Sequence, residues 1–307
     1  MSKLLTVFGA TGHQGKALID YVLANPSLSP LFTLRAVTRD PTKPAAIALK
    51  ERGVEVVKAD LDVRSTVFEA VAGSYAVFAV TQFWERASAE VEIAQGKAMA
   101  DAAVAAGVTQ LIWSSLPNVT EMTQGKITVV EHFDSKAEVE SYIRTLDIKS
   151  MFYMPGWFMQ NFLLPGMQPQ KQMDGGSYVL PVPWSPETPT PLVDIRDTGK
   201  FLTPALLRPD EYHGKRFTCA TSFTTPAEIA EIWSNVTGKK VVHQVPGSAQ
   251  HASVVNPPGL KEAGDLLYQY GYYGPTGEAD LVWTLEQLDE KPTSWEQFLR
   301  DNEPWFT

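Results

Sequence analysis

The sequence predicts a doubly wound, parallel α/β sheet followed by a smaller C-terminal α/β region. Three observations carry that prediction. To about Tyr153, short β-branched or aliphatic runs alternate with longer amphipathic stretches; a glycine-rich turn joins the first run to the first stretch; and after Pro155, prolines and glycines interrupt every long periodic pattern. The composition permits such a fold, since 44% hydrophobic and 20% charged residues over 307 positions suffice for a sizeable core and exclude disorder or a collagen-like repeat.

Taken in order, strands are expected at Leu4–Phe8, Thr33–Thr38, Glu55–Lys58, Ala76–Val80, Gln110–Ser114 and Ser150–Met154. Helices fall between them at His13–Leu23, Ala45–Arg52, Thr66–Val71, Ala87–Ala106 and Val130–Leu146, each closing near a Gly, Asn or Asp. Parallel neighbours need crossovers, so six strands with five intervening helices describe one doubly wound unit over residues 1–155. The run from Pro155 to Pro191 reads as irregular chain that walls a pocket, because ligands of such sheets sit beyond the strands' carboxyl ends. Residues 156–307 then form the smaller region, some of whose elements are free to return to the first unit. Its expected helices are Asp194–Leu207, Pro226–Thr237, Leu260–Tyr270 and Ser294–Asn302, with short strands near Arg216–Ala220 and Lys240–Val245.

Charge narrows the partners. Lys and Arg total 26 against 35 Asp and Glu, a net charge of −9, which opposes the counterion-releasing contacts that nucleic acids and anionic membranes require. Cys219 is the lone cysteine, so neither an intrachain disulfide nor a cysteine-based zinc site is available. No His/Asp/Glu cluster has metal-ligand spacing, and no uncharged run approaches a bilayer-spanning length. The expectation is a metal-free cytoplasmic protein, with nuclear entry left open.

The most informative segment is Gly9-Ala10-Thr11-Gly12-His13-Gln14-Gly15, which follows the first strand and opens a helix with an apolar face at Ala17, Leu18, Tyr21 and Val22. Gly9 permits a sharp turn, Gly12 lets the backbone approach a pyrophosphate, and Gly15 allows helix and strand to pack closely. The helix N-terminus then faces the anion. Strand, loop and helix together read as a dinucleotide site in the G-x-x-G-x-x-G spacing of extended-type short-chain enzymes, the alternative being a bare tight turn.

At the end of the second strand, Val37-Thr38-Arg39-Asp40-Pro41 reaches the place where an adenosine ribose arrives. Arg39 suits a 2′-phosphate, with Lys43 adding positive charge, and this favours NADP(H). A shift of one residue would instead set Asp40 on the ribose and favour NAD; the separate structural alternative for Arg39 is a solvated surface arginine paired with Asp40. After the third strand, Asp60 and Leu61 are placed to bond the adenine amino group and cover the ring; helix capping is the alternative for Asp60.

These stretches, with Val80-Thr81-Gln82-Phe83-Trp84-Glu85 and His132-Phe133-Asp134-Ser135-Lys136-Ala137-Glu138-Val139-Glu140, resemble the NmrA-like proteins, atypical members of the short-chain dehydrogenase/reductase superfamily. Within that family the motifs look closest to the HSCARG-type branch of NADPH sensors. The resemblance implies a Rossmann domain with a smaller C-terminal part. It also implies that NADP(H) is held by Gly9, Thr11, Gly12, His13, Gln14 and Gly15, by Arg39, Lys43 and Asp60, by the Thr81-Gln82-Phe83 turn, by Lys136, and by Tyr153, Pro155 and Gly156.

Active short-chain reductases set a tyrosine four residues before a lysine, so that both share one helical face and the tyrosine donates a proton. Here the lysine is Lys136 and His132 occupies the tyrosine position. Histidine is itself a proton donor near neutral pH, but the adjacent ammonium disfavours its charged form. The structural alternatives are a hydrogen-bonded, partly buried His132 and a surface Lys136 paired with Glu140. Ser114 and Ser115 end the fifth strand, where a reductase serine or a mere turn residue would stand. The aromatics Phe83, Trp84, Trp157, Phe158, Trp184, Tyr268, Tyr270, Tyr272 and Tyr273 read as core, as a planar-substrate pocket or as a partner surface.

Two functions follow. One is a redox-responsive regulator that binds NADP(H) and acts through a protein partner; the other is an NADPH-dependent reductase of a small carbonyl or quinone-like substrate, with Lys136 and His132 as its catalytic residues. The sequence leans to the regulator and leaves a homodimer open.

Overall fold

The computed structural model describes residues 2–172, 175–245, 264, 266 and 269–306. The first six strands are β1 (Lys3–Val7), β2 (Phe32–Thr38), β3 (Glu55–Lys58), β4 (Ala76–Ala79), β5 (Gln110–Ser114) and β6 (Lys149–Pro155). Four short ones follow, β7 (Trp157–Phe158), β8 (Gln170–Lys171), β9 (Ser177–Leu180) and β10 (Thr190–Val193), and then β11 (Arg216–Cys219), β12 (Ser222–Thr224) and β13 (Lys240–His243).

The central sheet has seven strands rather than the expected six, in the order β11-β6-β5-β4-β1-β2-β3. Every pairing in it is parallel. β11 returns from the C-terminal half to lie beside β6, with Phe217 opposite Tyr153 and Cys219 opposite Pro155. The sequence pattern identifies a strand there but not its neighbour. As an edge strand β11 has unpaired N–H groups, and Thr284 Oγ1 accepts from the Thr218 N–H at 3.1 Å. Thr284 belongs to a helix at Gly277–Glu286 that the sequence pattern did not predict.

One face of the sheet is covered by α1 (His13–Ala24), whose Leu18, Ile19 and Val22 are fully buried, and by α2 (Pro44–Glu51) through Leu49. The other carries α3 (Arg64–Ala70), α4 (Ala89–Ala105) and, after the single turn α5 (Val119–Met122), α6 (Glu131–Ile143), packed through Val67, Met99, Ala103 and Val139. α7 (Thr198–Leu207) joins α1 on the first face with Phe201 and Leu202. Boundaries follow local chemistry. α4 begins two residues later than expected because Ser88 accepts from the Val91 N–H and Ala87 adopts φ 46°. α7 begins after a 3₁₀ turn at Ile195–Asp197, which Asp194 opens by accepting from the Arg196 N–H at 2.9 Å.

A third apolar cluster, drawn largely from the C-terminal half, is built by α8 (Pro226–Thr237) and α10 (Trp295–Asp301), whereas α9 (Gly277–Glu286) packs on β11 and the first cluster through Trp283 and Leu285. α8 starts with a reciprocal Thr225–Glu228 capping box and stops at Gly238, whose φ of 64° ends the helix. Trp233 meets Trp295 and Trp305 with ring centroids 5.4 and 4.8 Å apart. The expected helix at Leu260–Tyr270 falls for the most part outside the described residues, as does Tyr268. Among the described residues no helix is long and apolar enough to cross a membrane.

Candidate functional site

A cavity of about 760 Å³ opens where the strands end. Its lining comes from the segments that follow β1, β2, β3, β4, β5 and β6, joined by Asn161, Leu164, Met167, Pro181, Pro183, Leu266 and Tyr272 from the C-terminal half. β1 stands between β4 and β2, so the chain reverses its direction of winding there and leaves a crevice.

The glycine turn forms the floor. Gly9 has φ +61°, and the Gly12 N–H donates to its carbonyl at 2.9 Å. A Cβ on Gly12 would stand 3.2 Å from the Gly9 oxygen, and one on Gly15 would collide with the Gly9 backbone. Gly12 caps α1 without a side-chain bond, and the first turn contains no acidic residue, so no side chain of that turn competes with an anion there. Gln14 is fixed by Ser114, whose hydroxyl donates to Gln14 Oε1 at 2.7 Å. Thr11 and His13 line the same floor.

At the β2–β3 end, Arg39 binds Glu85 through two hydrogen bonds of 2.8 and 2.7 Å, not Asp40. Asp40 instead accepts from the Thr42 N–H at 2.9 Å and its hydroxyl at 2.6 Å, which holds the carboxylate within its own turn. Asp60 does the same with the Asp62 N–H at 3.0 Å and does not cap α3, whose N-cap is Val63. Lys43 and Leu61 complete this end, and Arg86 bonds Asp62 at 2.8 Å.

At the β4–β6 end, the Lys136 ammonium contacts Glu92 and lies 3.0 Å from Thr81 Oγ1. Thr81 donates to Glu92 at 2.7 Å, and Ser135 donates to the second carboxylate oxygen. Burial lowers the Lys136 pKa while Glu92 opposes that shift. The expected alternative partner, Glu140, is instead taken up by Ser115, Arg144 and Arg216, one turn farther along α6. His132 sits among Phe83, Trp84 and Phe133, with ring centroids 5.7, 4.9 and 4.9 Å away. Its own burial first, then the neighbouring Lys136 charge, push its pKa down to about 4.

The structure therefore brings Gly9, Thr11, Gly12, His13, Gln14, Gly15, Arg39, Lys43, Asp60, Leu61, Thr81, Gln82, Phe83, His132, Lys136, Pro155 and Gly156 to one cavity. Tyr153 is not among them: it is wholly buried in the sheet, 3.3 Å from Thr198 Oγ1 and packed on Phe78 and Phe201. The strand's alternation turns Tyr153 toward the α1–α7 side, away from the opening. Of the aromatics, Phe83, Trp84, Trp157, Phe158 and Tyr272 line the cavity, whereas Trp184, Tyr270 and Tyr273 belong to the C-terminal cluster. Sequence reasoning missed Glu92 and Glu85. For Glu92 there was a signal, since it shares the buried i, i+4, i+7 face of α4 with Gly96 and Met99, where an acidic residue needs a buried partner.

Strand order, glycine turn and cavity together define an α/β protein of Rossmann topology. The chain belongs to the NmrA-like family, whose model matches residues 1–299. An NmrA-like family domain-containing oxidoreductase of Penicillium ochrochloron, ptmS, is 33% identical over 79% of this chain and 75% of its own. A family member from Dictyostelium discoideum is 27% identical over 98% of both chains. Among solved structures, the negative transcriptional regulator NmrA in complex with NADP aligns over 98% of this chain and 95% of its own, with a TM-score of 0.79 at 22% identity. Triphenylmethane reductase of Citrobacter sp. complexed with NADP(H) aligns over 98% and 99%, with a TM-score of 0.74 at 21% identity. At those identities the likeness establishes the fold.

Proposed function

We propose that this chain binds NADP(H) and works as a redox-responsive regulator that reports cofactor state to a protein partner in the cytoplasm. The residues fit the cofactor. Gly9, Gly12 and Gly15 make a backbone cradle that side chains would fill, Arg39 and Lys43 supply the charge a 2′-phosphate needs, and Asp40 is occupied by Thr42. Residues 1–155 would hold the dinucleotide, and residues 156–307 would wall the pocket. The complexes of the NmrA regulator with NADP and with NAD, and of triphenylmethane reductase with NADP(H), support the dinucleotide part of this reading, and the motif likeness to HSCARG-type sensors supports the regulator part.

One observation carries the regulator over the enzyme. When bound, a nicotinamide supplies or accepts a hydride; the chain must supply the matching proton. Here the tyrosine position is a half-buried His132 that stays uncharged at neutral pH, and the Lys136 ammonium is clasped by Glu92. Neither is a poised donor.

The reductase reading draws on a different observation. Leu116, Phe133, Trp157, Leu266 and Tyr272 give the same cavity an apolar wall, suited to a planar carbonyl or quinone-like substrate, and several relatives are named oxidoreductases. In that reading Lys136 and His132 are catalytic.

Both readings require NADPH selectivity, and turnover separates them. The regulator should bind NADPH more tightly than NADH by calorimetry, and Arg39→Ala should weaken NADPH by about 1–3 kcal/mol while barely affecting NADH. Across a panel of aldehydes, ketones and quinones it should oxidise NADPH no faster than buffer does. NADPH consumption matched by reduced product, and abolished by Lys136→Ala, would establish the reductase instead.

A further inference from the structure

The Arg39 guanidinium is engaged by this chain's own carboxylate. Glu85 meets it with the two parallel bonds, at 2.8 and 2.7 Å, that a phosphate would otherwise make. Glu85 ends the short 3₁₀ turn Phe83–Glu85 after β4, whereas Arg39 directly follows β2, so the pair joins two separate segments of the cavity wall. Both side chains line the cavity, and both remain substantially exposed, at 60% for Arg39 and 45% for Glu85.

We propose that Glu85 is a specificity-determining residue, an internal competitor that occupies the Arg39 fork and sets how strongly the site discriminates dinucleotides with a 2′-phosphate from those with a 2′-hydroxyl. This rests on the NADP(H) reading above. A 2′-phosphate carries nearly two negative charges and three acceptor oxygens, so it displaces a single carboxylate. A ribose hydroxyl, being neutral, leaves the Arg39–Glu85 pair closed. Displacement costs part of the phosphate's binding energy, and wild-type affinity for NADPH therefore sits below what Arg39 alone would provide. The same segment is held independently, because Arg86 bonds Asp62 at 2.8 Å and Trp84 packs on His132 at 4.9 Å. Removing the Glu85 charge thus leaves the turn in place.

The test is a double-mutant cycle read by calorimetry at low salt with NADPH and NADH, using wild type, Glu85→Gln, Arg39→Ala and the double variant. Glu85→Gln should tighten NADPH about three- to fivefold, the scale of an exposed bidentate pair, and shift NADH by less than about twofold. In the Arg39→Ala background the same substitution should change nothing, and the gain should shrink as salt screens the pair. A preserved NADPH preference with no tightening in Glu85→Gln, or a tightening that persists without Arg39, overturns the role of Glu85 alone. Equal wild-type affinity for NADPH and NADH overturns the cofactor reading and the role of Glu85 together.

Discussion

His132 shows how a single environment decides what a residue can do. Its ring is packed against Phe83, Trp84 and Phe133, one helical turn before Lys136, and burial together with that ammonium holds the imidazole's pKa at about 4, against an ordinary 6.5. Glu92 and Asp134 pull the other way and do not prevail. A histidine whose folded pKa is depressed binds fewer protons folded than unfolded, so stability rises with pH across the interval between the two values. As pH falls from 6.5 to about 4, this group should therefore remove about 3 kcal/mol from the folding free energy, and little more below that. Urea titrations at a series of pH values on wild type and His132→Asn test it. The variant should lose distinctly less stability across that window, and parallel curves would show that the ring titrates normally. The spacing of His132 and Lys136 was legible because four residues span one helical turn. Glu92, 44 positions before Lys136, was not, since only the crossing of α4 over α6 brings them together.

The glycine turn is the element on which every reading depends. Gly9 turns the chain with φ +61°, and the start of α1 then lies so close to it that even a methyl group on Gly12 would press on the Gly9 carbonyl at 3.2 Å. Gly12→Val places a branched side chain on the cavity floor. Calorimetry should find no dinucleotide binding, while the far-ultraviolet circular dichroism keeps the α/β signature. Retained binding would reduce the motif to a turn. This element could be read from sequence because strand, glycines and helix are contiguous. β11 could not be placed in the same way: Arg216-Phe217-Thr218-Cys219 has a strand's character, but its partner β6 lies some 60 residues upstream, and pattern carries no information about neighbours. α9 escaped for a related reason. Among its ten residues only Gly277, Leu281 and Thr284 are buried, too few to form an apolar stripe.

Across the whole molecule, the cavity joins two separately packed bodies of side chains, the sheet with its two helical faces and the aromatic cluster of the C-terminal half. Phe83, His132 and the segment Pro155–Phe158 lie along the line where they meet. A dinucleotide seated along the strand ends would touch loops that are far apart in sequence, and each would have to order around it. Mass action alone raises global stability by about 2.7 kcal/mol at a ligand concentration a hundredfold above Kd, and this slows every amide that exchanges by global unfolding. Local protection is therefore the informative part. Hydrogen exchange with and without NADPH should show added protection in Gly9–Gly15, Thr38–Lys43, Thr81–Ala87 and Pro155–Phe158, with little at the opposite sheet end around Pro30–Phe32. Protection confined to Gly9–Gly15 would mean that the pyrophosphate cradle works alone and the C-terminal half takes no part. Protection reaching Trp157 and Phe158 would mean that cofactor binding is felt across the junction, as a protein reporting cofactor state to a partner requires.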